Sequence, residues 1–136
     1  MDKNTKDLKQ RILEEMTVNY SSALEKNFDY VKKFIKITSQ GKIDVLVKDE
    51  LNIEEQVILY LIGKLYAKEA EISETEEVTN IELSEELGLK ENSLRPKISS
   101  LREQKMILTR KEGKKAYHSI KKNIIESTLK SINYKN

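Results

Sequence analysis

The chain has no cysteine, one proline, one histidine and four glycines among 136 residues. Without cysteine there are no disulfides and no thiolate metal sites. The lone histidine, His118, has no histidine or cysteine partner for a metal and no plausible partnership with a nucleophile. Its expected place is a half-exposed strand position. Aromatic residues are scarce, at 6%, and the six tyrosines are too dispersed to form a stacking platform. Tyr60 and Tyr66 read as core or interface residues of one helix. The longest apolar run, VILYLIG at 57–63, is far short of the roughly 18 residues a membrane span needs. The opening MDKNTKDLKQR is not followed by a secretory-type apolar segment. The expectation is a cytosolic protein with no membrane partner. The acidic ETEE at 74–77 has neither a histidine nor a glycine-rich loop beside it, so it reads as a solvated loop. No catalytic constellation, cofactor or small-molecule substrate is implied, and the chain is not expected to be an enzyme.

What is present is charge. Charged residues make up 35% of the chain and apolar ones 38%, enough for one compact core. The net charge of +2 is an average over unlike segments. Residues 1–50 hold 10 Lys/Arg against 9 Asp/Glu, residues 51–88 hold 2 against 10, and residues 89–136 hold 13 against 4. The basic excess begins one residue after Gly88. Such a division fits a surface that meets a polyanion, or two segments that attract each other within the fold.

Periodicity gives the elements. Residues 5–17 are weakly amphipathic through Leu8, Ile12, Leu13 and Met16. Leu24, Phe28, Val31 and Ile35, with Phe34, mark a helical stripe over 21–38, and Gly41 closes it. KIDVLV alternates through Ile43, Val45 and Val47 as a half-buried strand. Asn52 and Glu55 have the spacing of a capping box, and a helix buried on two sides follows over 53–70. Gly63 in its middle points to a close helix crossing. Thr79 with Glu82 forms a second capping box, with Val78 and Leu83 at the positions of a hydrophobic staple. Gly88 ends that short helix in the left-handed conformation. The next helix, over 92–104, turns Leu94, Ile98 and Leu101 inward. Pro96 is tolerated there if Asn92 or Ser93 is the N-cap, because a first-turn N–H has no helical partner. Residues 108–118 read as a hairpin around Glu112-Gly113, with a turn of two or more residues. Ile120, Ile124, Ile125, Leu129 and Ile132 line a last helix over 120–133.

The order of helix, acidic loop, short helix, glycine turn, second helix and basic hairpin, together with ELSEELGLKENSLRPKISSLREQKMI at 82–107, resembles winged helix-turn-helix transcription regulators. Their pattern ELAxxLGxSxxTVxxxxxxLxxxGLI is matched without a gap at Glu82, Leu83, Leu87, Gly88, Leu94, Leu101 and Ile107, with Ser84 in the alanine place. With LNIEEQVILYLIGKLYAKEA before it, the segment is similar to small archaeal-type winged-helix proteins. Lys105 stands where the pattern has glycine, and Pro96 where it has a basic or polar residue. Glu91 and Glu103 lie on or near the face that would approach phosphates.

The resemblance implies a mostly α, α+β fold. Residues 1–41 lie outside it and are read as an N-terminal helical extension that builds a homodimer, with the last helix contributing, because Leu24, Phe28, Val31 and Ile35 keep heptad spacing. Within the resemblance, 42–119 would be the winged helix-turn-helix domain, followed by 120–136 as a C-terminal helix. It also implies binding of double-stranded DNA as a homodimeric regulator. The 92–104 helix would dock in the major groove and the 108–118 wing on the backbone or in the minor groove. Three of the four arginines, Arg95, Arg102 and Arg110, fall within sixteen residues. A guanidinium can grip a guanine edge at two points, so Arg95 is the foremost candidate for reading a base, with Ser99 and Asn92 next. The Pro96 ring offers an apolar contact beside Ser93. Lys90, Lys97 and Arg102 suit phosphates, as do Arg110, Lys111, Lys114 and Lys115 of the wing. The alternative is a winged-helix protein-interaction module, with the N-terminal region as its working surface and the basic wing on an acidic partner.

Overall fold

The computed structural model describes residues 7–16 and 20–132. The outer parts of two expected elements, 5–17 and 120–133, lie partly outside them. The chain is an α+β protein. Its helices are α1 (Leu8–Glu15), α2 (Tyr20–Lys26), α3 (Phe28–Val31), α4 (Ile53–Glu69), α5 (Asn80–Leu87), α6 (Glu91–Glu103) and α7 (Ile125–Ser131). Its strands are β1 (Ile35–Ile37), β2 (Ile43–Val45), β3 (Val78–Thr79), β4 (Ile107–Glu112) and β5 (Lys115–Ile120). β1 and β2 form an antiparallel hairpin, and the other strands form an antiparallel sheet in the order β3-β5-β4.

α4 is the axis of the core. The Asn52 side chain accepts from the Glu55 N–H at 2.8 Å, and the Glu55 carboxylate accepts from the Asn52 N–H at 3.0 Å, so the expected capping box is complete. Every residue from Gln56 to Leu65 is buried, because α5, α6 and β5 pack against this helix and so do β1 and β2. Gln56 accordingly donates its amide to the Lys48 and Leu51 carbonyls. No helix among the described residues is long and apolar enough to cross a membrane.

The expected helix over 21–38 is instead α2, α3 and β1. Leu24, Val31, Phe34 and Ile35 are all buried, but in the protein's own core. The chain turns at Asn27, and Ile35 to Ile37 runs extended between two cross-strand bonds, Leu46 N–H to the Phe34 carbonyl and Thr38 N–H to the Lys42 carbonyl. The expected join at 41–42 lies in the turn of this hairpin. Gly63 therefore serves a different approach from the one expected. A Cβ there would stand 2.6 Å from Ile43 Cγ2 and 3.0 Å from Ile35 Cδ1, so it is the hairpin, not a helix, that demands glycine.

α5 begins as expected, with the Thr79 hydroxyl accepting from the Glu82 N–H at 3.2 Å. The Glu82 carboxylate does not complete the box. It turns inward, accepting from the Tyr60 hydroxyl at 2.6 Å and pairing with Lys64 at 3.4 Å and Lys42 at 3.5 Å. Lys64 also donates to the Gly41 carbonyl at 3.0 Å, which ties α4 and α5 to the β1–β2 turn. Burial and the adjacent carboxylate raise the Tyr60 pKa, and burial pushes Tyr66 up to about 12. Gly88 is left-handed at φ 67, as expected.

The expected last helix over 120–133 is also redrawn. Ile120 ends β5, a 3-10 turn covers Lys122–Ile124, and α7 follows. Ile120, Ile125, Leu129 and Ile132 are buried in the protein's own core, and Ile124 is half-buried.

Candidate nucleic-acid interface

α5, the Gly88 turn and α6 form two consecutive helices, and β4–β5 follows as a hairpin. α6 starts at Glu91 with Lys90 as its N-cap, and the Lys90 side chain makes no capping bond. The helix thus begins earlier than an Asn92 or Ser93 cap would allow. Glu91 in the first turn compensates by placing a carboxylate at the positive end of the helix dipole. Pro96 is then the sixth helical residue, not the third or fourth. Its ring deprives the Asn92 carbonyl of the donor four residues on. Asn92 and Pro96 are both exposed, so water can serve that carbonyl. The proline stands on the outer face of α6, opposite the buried Leu94, Ile98 and Leu101.

Lys105 has φ 59, the left-handed conformation that a glycine adopts without a Cβ penalty. This is the position at which the quoted pattern carries glycine. The hairpin is longer than expected, from Ile107 to Ile120, with Glu112 paired to Lys115. Its turn is therefore Gly113-Lys114 and not Glu112-Gly113. Gly113 at φ 62 takes the first central position of the two-residue loop, where glycine is favoured.

These elements bring Arg95, Lys114 and Lys115 together. All three line one cleft between α6, the first turn of α5 and the hairpin turn, along with Glu91, Asn80 and Ile81. The Arg95 side chain has no hydrogen bond or ion pair among the described residues. The other arginines are engaged: Arg11 with Glu15 at 3.5 Å, Arg102 with the Ser99 hydroxyl at 3.3 Å, and Arg110 with two carboxylates. Lys90, Asn92, Ser93, Lys97 and Lys111 are exposed outside the cleft, and Ser99 is half-buried.

Arg110 occupies a different role from the lysines beside it. Its Nε and Nη2 both reach the Glu77 carboxylate at 2.9 Å, and Nη1 reaches Glu112 at 2.9 Å. The guanidinium lies 4.6 Å from the Tyr117 ring centroid. Its hydrogen bonds hold the Glu77 carboxyl below the usual range. Arg110 fastens the acidic loop before α5 to the hairpin, and a phosphate would have to compete with that grip.

His118 is buried at 2% exposure, not half-exposed. Its Nε2–H donates to Asn80 Oδ1 at 2.6 Å, and its Nδ1 accepts from the Thr109 hydroxyl at 2.9 Å. Asn80 Oδ1 can only accept, which holds a proton on Nε2, and burial first, then the Arg102 charge, lowers the pKa of the ring to about 4. His118 joins the first residue of α5 to both hairpin strands and so sets the cleft's two walls.

Ile81 was not singled out by sequence. It is 59% exposed and lies off the inward Leu83–Leu87 stripe, which is the signal that could have found it. No protein-family model, curated protein or solved structure matches the chain.

Proposed function

We propose that the chain is a winged helix-turn-helix protein that binds double-stranded DNA as a homodimeric transcription regulator. The observation that carries this is the single cleft shared by Arg95, Lys114 and Lys115. A recognition helix and a basic wing act together only if they face the same ligand. The left-handed Lys105 and Gly88, which end α6 and α5, add support because each stands at a glycine of the family pattern. In this reading α6 enters the major groove, Arg95 reads a base edge, and Asn92, Ser93, Pro96 and Ser99 flank it. Lys90, Lys97, Arg102, Lys111, Lys114 and Lys115 hold phosphates, and Arg110 orders the wing.

Alanine at Arg95 should weaken binding to a preferred duplex by about 1–3 kcal/mol and relax preference at one base pair. Affinities measured over single-base variants of a site selected from a random duplex pool read this directly. A loss equal on all sequences would make Arg95 a phosphate contact.

Dimerisation rests on α1 rather than on the stripe over 21–38, whose apolar residues except Phe28 are spent on the core. Leu8, Ile12, Leu13 and Met16 are all exposed on α1, with Leu8 at 71% and Met16 at 79%. Sedimentation at micromolar concentration should show a dimer, and Leu8→Glu with Ile12→Glu should yield a folded monomer. A wild-type monomer that binds DNA fully would remove the dimer from the account.

A further inference from the structure

We propose that the groove along the outer edge of β1 receives an extended acidic peptide, with apolar residues at alternate positions, as a third strand of the β1–β2 sheet. The proposal stands apart from the DNA reading, because none of the groove's residues lines the Arg95 cleft.

The backbone supplies the first argument. Ile35 pairs with Val45, Lys36 with Asp44 and Ile37 with Ile43. The Phe34–Leu46 and Thr38–Lys42 pairs are hydrogen-bonded. Antiparallel strands alternate bonded and non-bonded pairs, so the N–H and C=O of Ile35 and Ile37 point away from β2. Neither residue has another backbone partner among the described residues. They form an open edge of the kind that accepts an added strand.

The surroundings supply the second. A groove runs beside that edge, with Phe28, Val31 and Tyr66 in its wall and no residue of β2. Phe28 is 51% exposed there, while the Tyr66 hydroxyl is already bonded to the Leu24 carbonyl. The groove therefore offers apolar ring surface and few free polar groups, which suits an apolar side chain entering from every second residue of a strand.

Charge selects the occupant. Lys32 and Lys36 line the groove and Lys33 is exposed next to it. The acidic neighbour Asp29 pairs with Lys32 at 3.1 Å but is 88% exposed, so it screens the lysine only weakly. A second copy's β1, laid antiparallel about Lys36, would set lysine opposite lysine, which disfavours self-pairing. An acidic strand has the opposite charge and no such penalty.

The test uses the full-length, nitrogen-15-labelled protein and a capped peptide of about six residues alternating glutamate and leucine, the length of an ordinary strand. The peptide should bind, and the amides of Ile35 and Ile37 should shift and exchange more slowly. A peptide N-methylated at alternate residues keeps its side chains but loses its donors, and should bind about tenfold more weakly. Lys32→Glu with Lys36→Glu should weaken binding by about tenfold as well, with unchanged urea unfolding, because both side chains are exposed. Absence of binding at millimolar peptide, indifference to N-methylation or to the charge reversal, or shifts confined to Arg95 and Lys114 would each overturn the proposal. None of these outcomes depends on whether the protein binds DNA.

Discussion

Replacing Glu82 by alanine is expected to destabilise the protein by about 3–5 kcal/mol, the usual effect of removing one partner of a buried ion pair. The Lys64 side chain is 6% exposed and that of Glu82 14%. Lys64 would keep its bond to the Gly41 carbonyl but lose its counter-charge, and the buried Tyr60 hydroxyl would lose its acceptor. An unpaired ammonium beneath α5 is the larger part of the effect. The pair itself is not the source of stability, since desolvation offsets most of its attraction. Glu82→Gln combined with Lys64→Met should therefore return to within about 2 kcal/mol of the wild type, because the introduced amide oxygen can still accept from the Tyr60 hydroxyl. Urea unfolding of the wild type, each single variant and the double variant measures this. A Glu82→Ala effect below about 1 kcal/mol would mean that water reaches Lys64 freely.

Acidification should reveal His118. Its folded pKa of about 4 lies below the ordinary 6.5. Between those values the unfolded chain binds a proton that the folded chain refuses, so stability rises with pH through this window. The contribution is fully present above pH 6.5 and is lost as pH falls toward 4, to a total of about 3 kcal/mol. Glu77 and Glu126, whose carboxyls are held below the usual value by Arg110 and Lys26, lose their contributions only at the acid end of that range and beyond. Unfolding free energies measured from pH 7 to pH 4.5 should show the slope in the wild type and not in His118→Gln. A flat profile in the wild type would show that the imidazole is hydrated in the folded state.

What was legible in the sequence was what neighbours in sequence determine. Asn52 with Glu55, Thr79 at the start of α5 and Gly88 at its end are local devices, and each stands where its spacing placed it. That Leu24, Val31 and Ile35 are buried was legible, though the seam of a dimer was their expected place and the protein's own core is where they lie. Their secondary structure was not legible, because Ile35-Lys36-Ile37 satisfies a strand's alternation as well as the end of a helical stripe, and pairing with Ile43–Val45 decides between them. Long-range partners were out of reach. His118 is 38 positions from Asn80, and Arg110 is 33 from Glu77. A lone histidine and a hairpin arginine therefore read as surface residues when one is buried and the other is committed to the fold. Pro96 misled in the opposite direction. The usual place of proline in a first turn, with Asn92 or Ser93 as the cap, argued for a later start, yet burial of Leu94, Ile98 and Leu101 holds the full helix together.

If α6 and the wing face the same duplex, as we propose, the salt dependence of duplex affinity should show it. The full-length protein, titrated into labelled duplex between about 50 and 200 mM salt, should lose affinity linearly on a log–log plot, by about 0.9 per phosphate held. Lys114→Ala with Lys115→Ala should weaken binding on every sequence and flatten that slope by about two units. No duplex binding at the lowest salt would rule out DNA as the ligand, and a slope untouched by the double substitution would take the wing off the duplex.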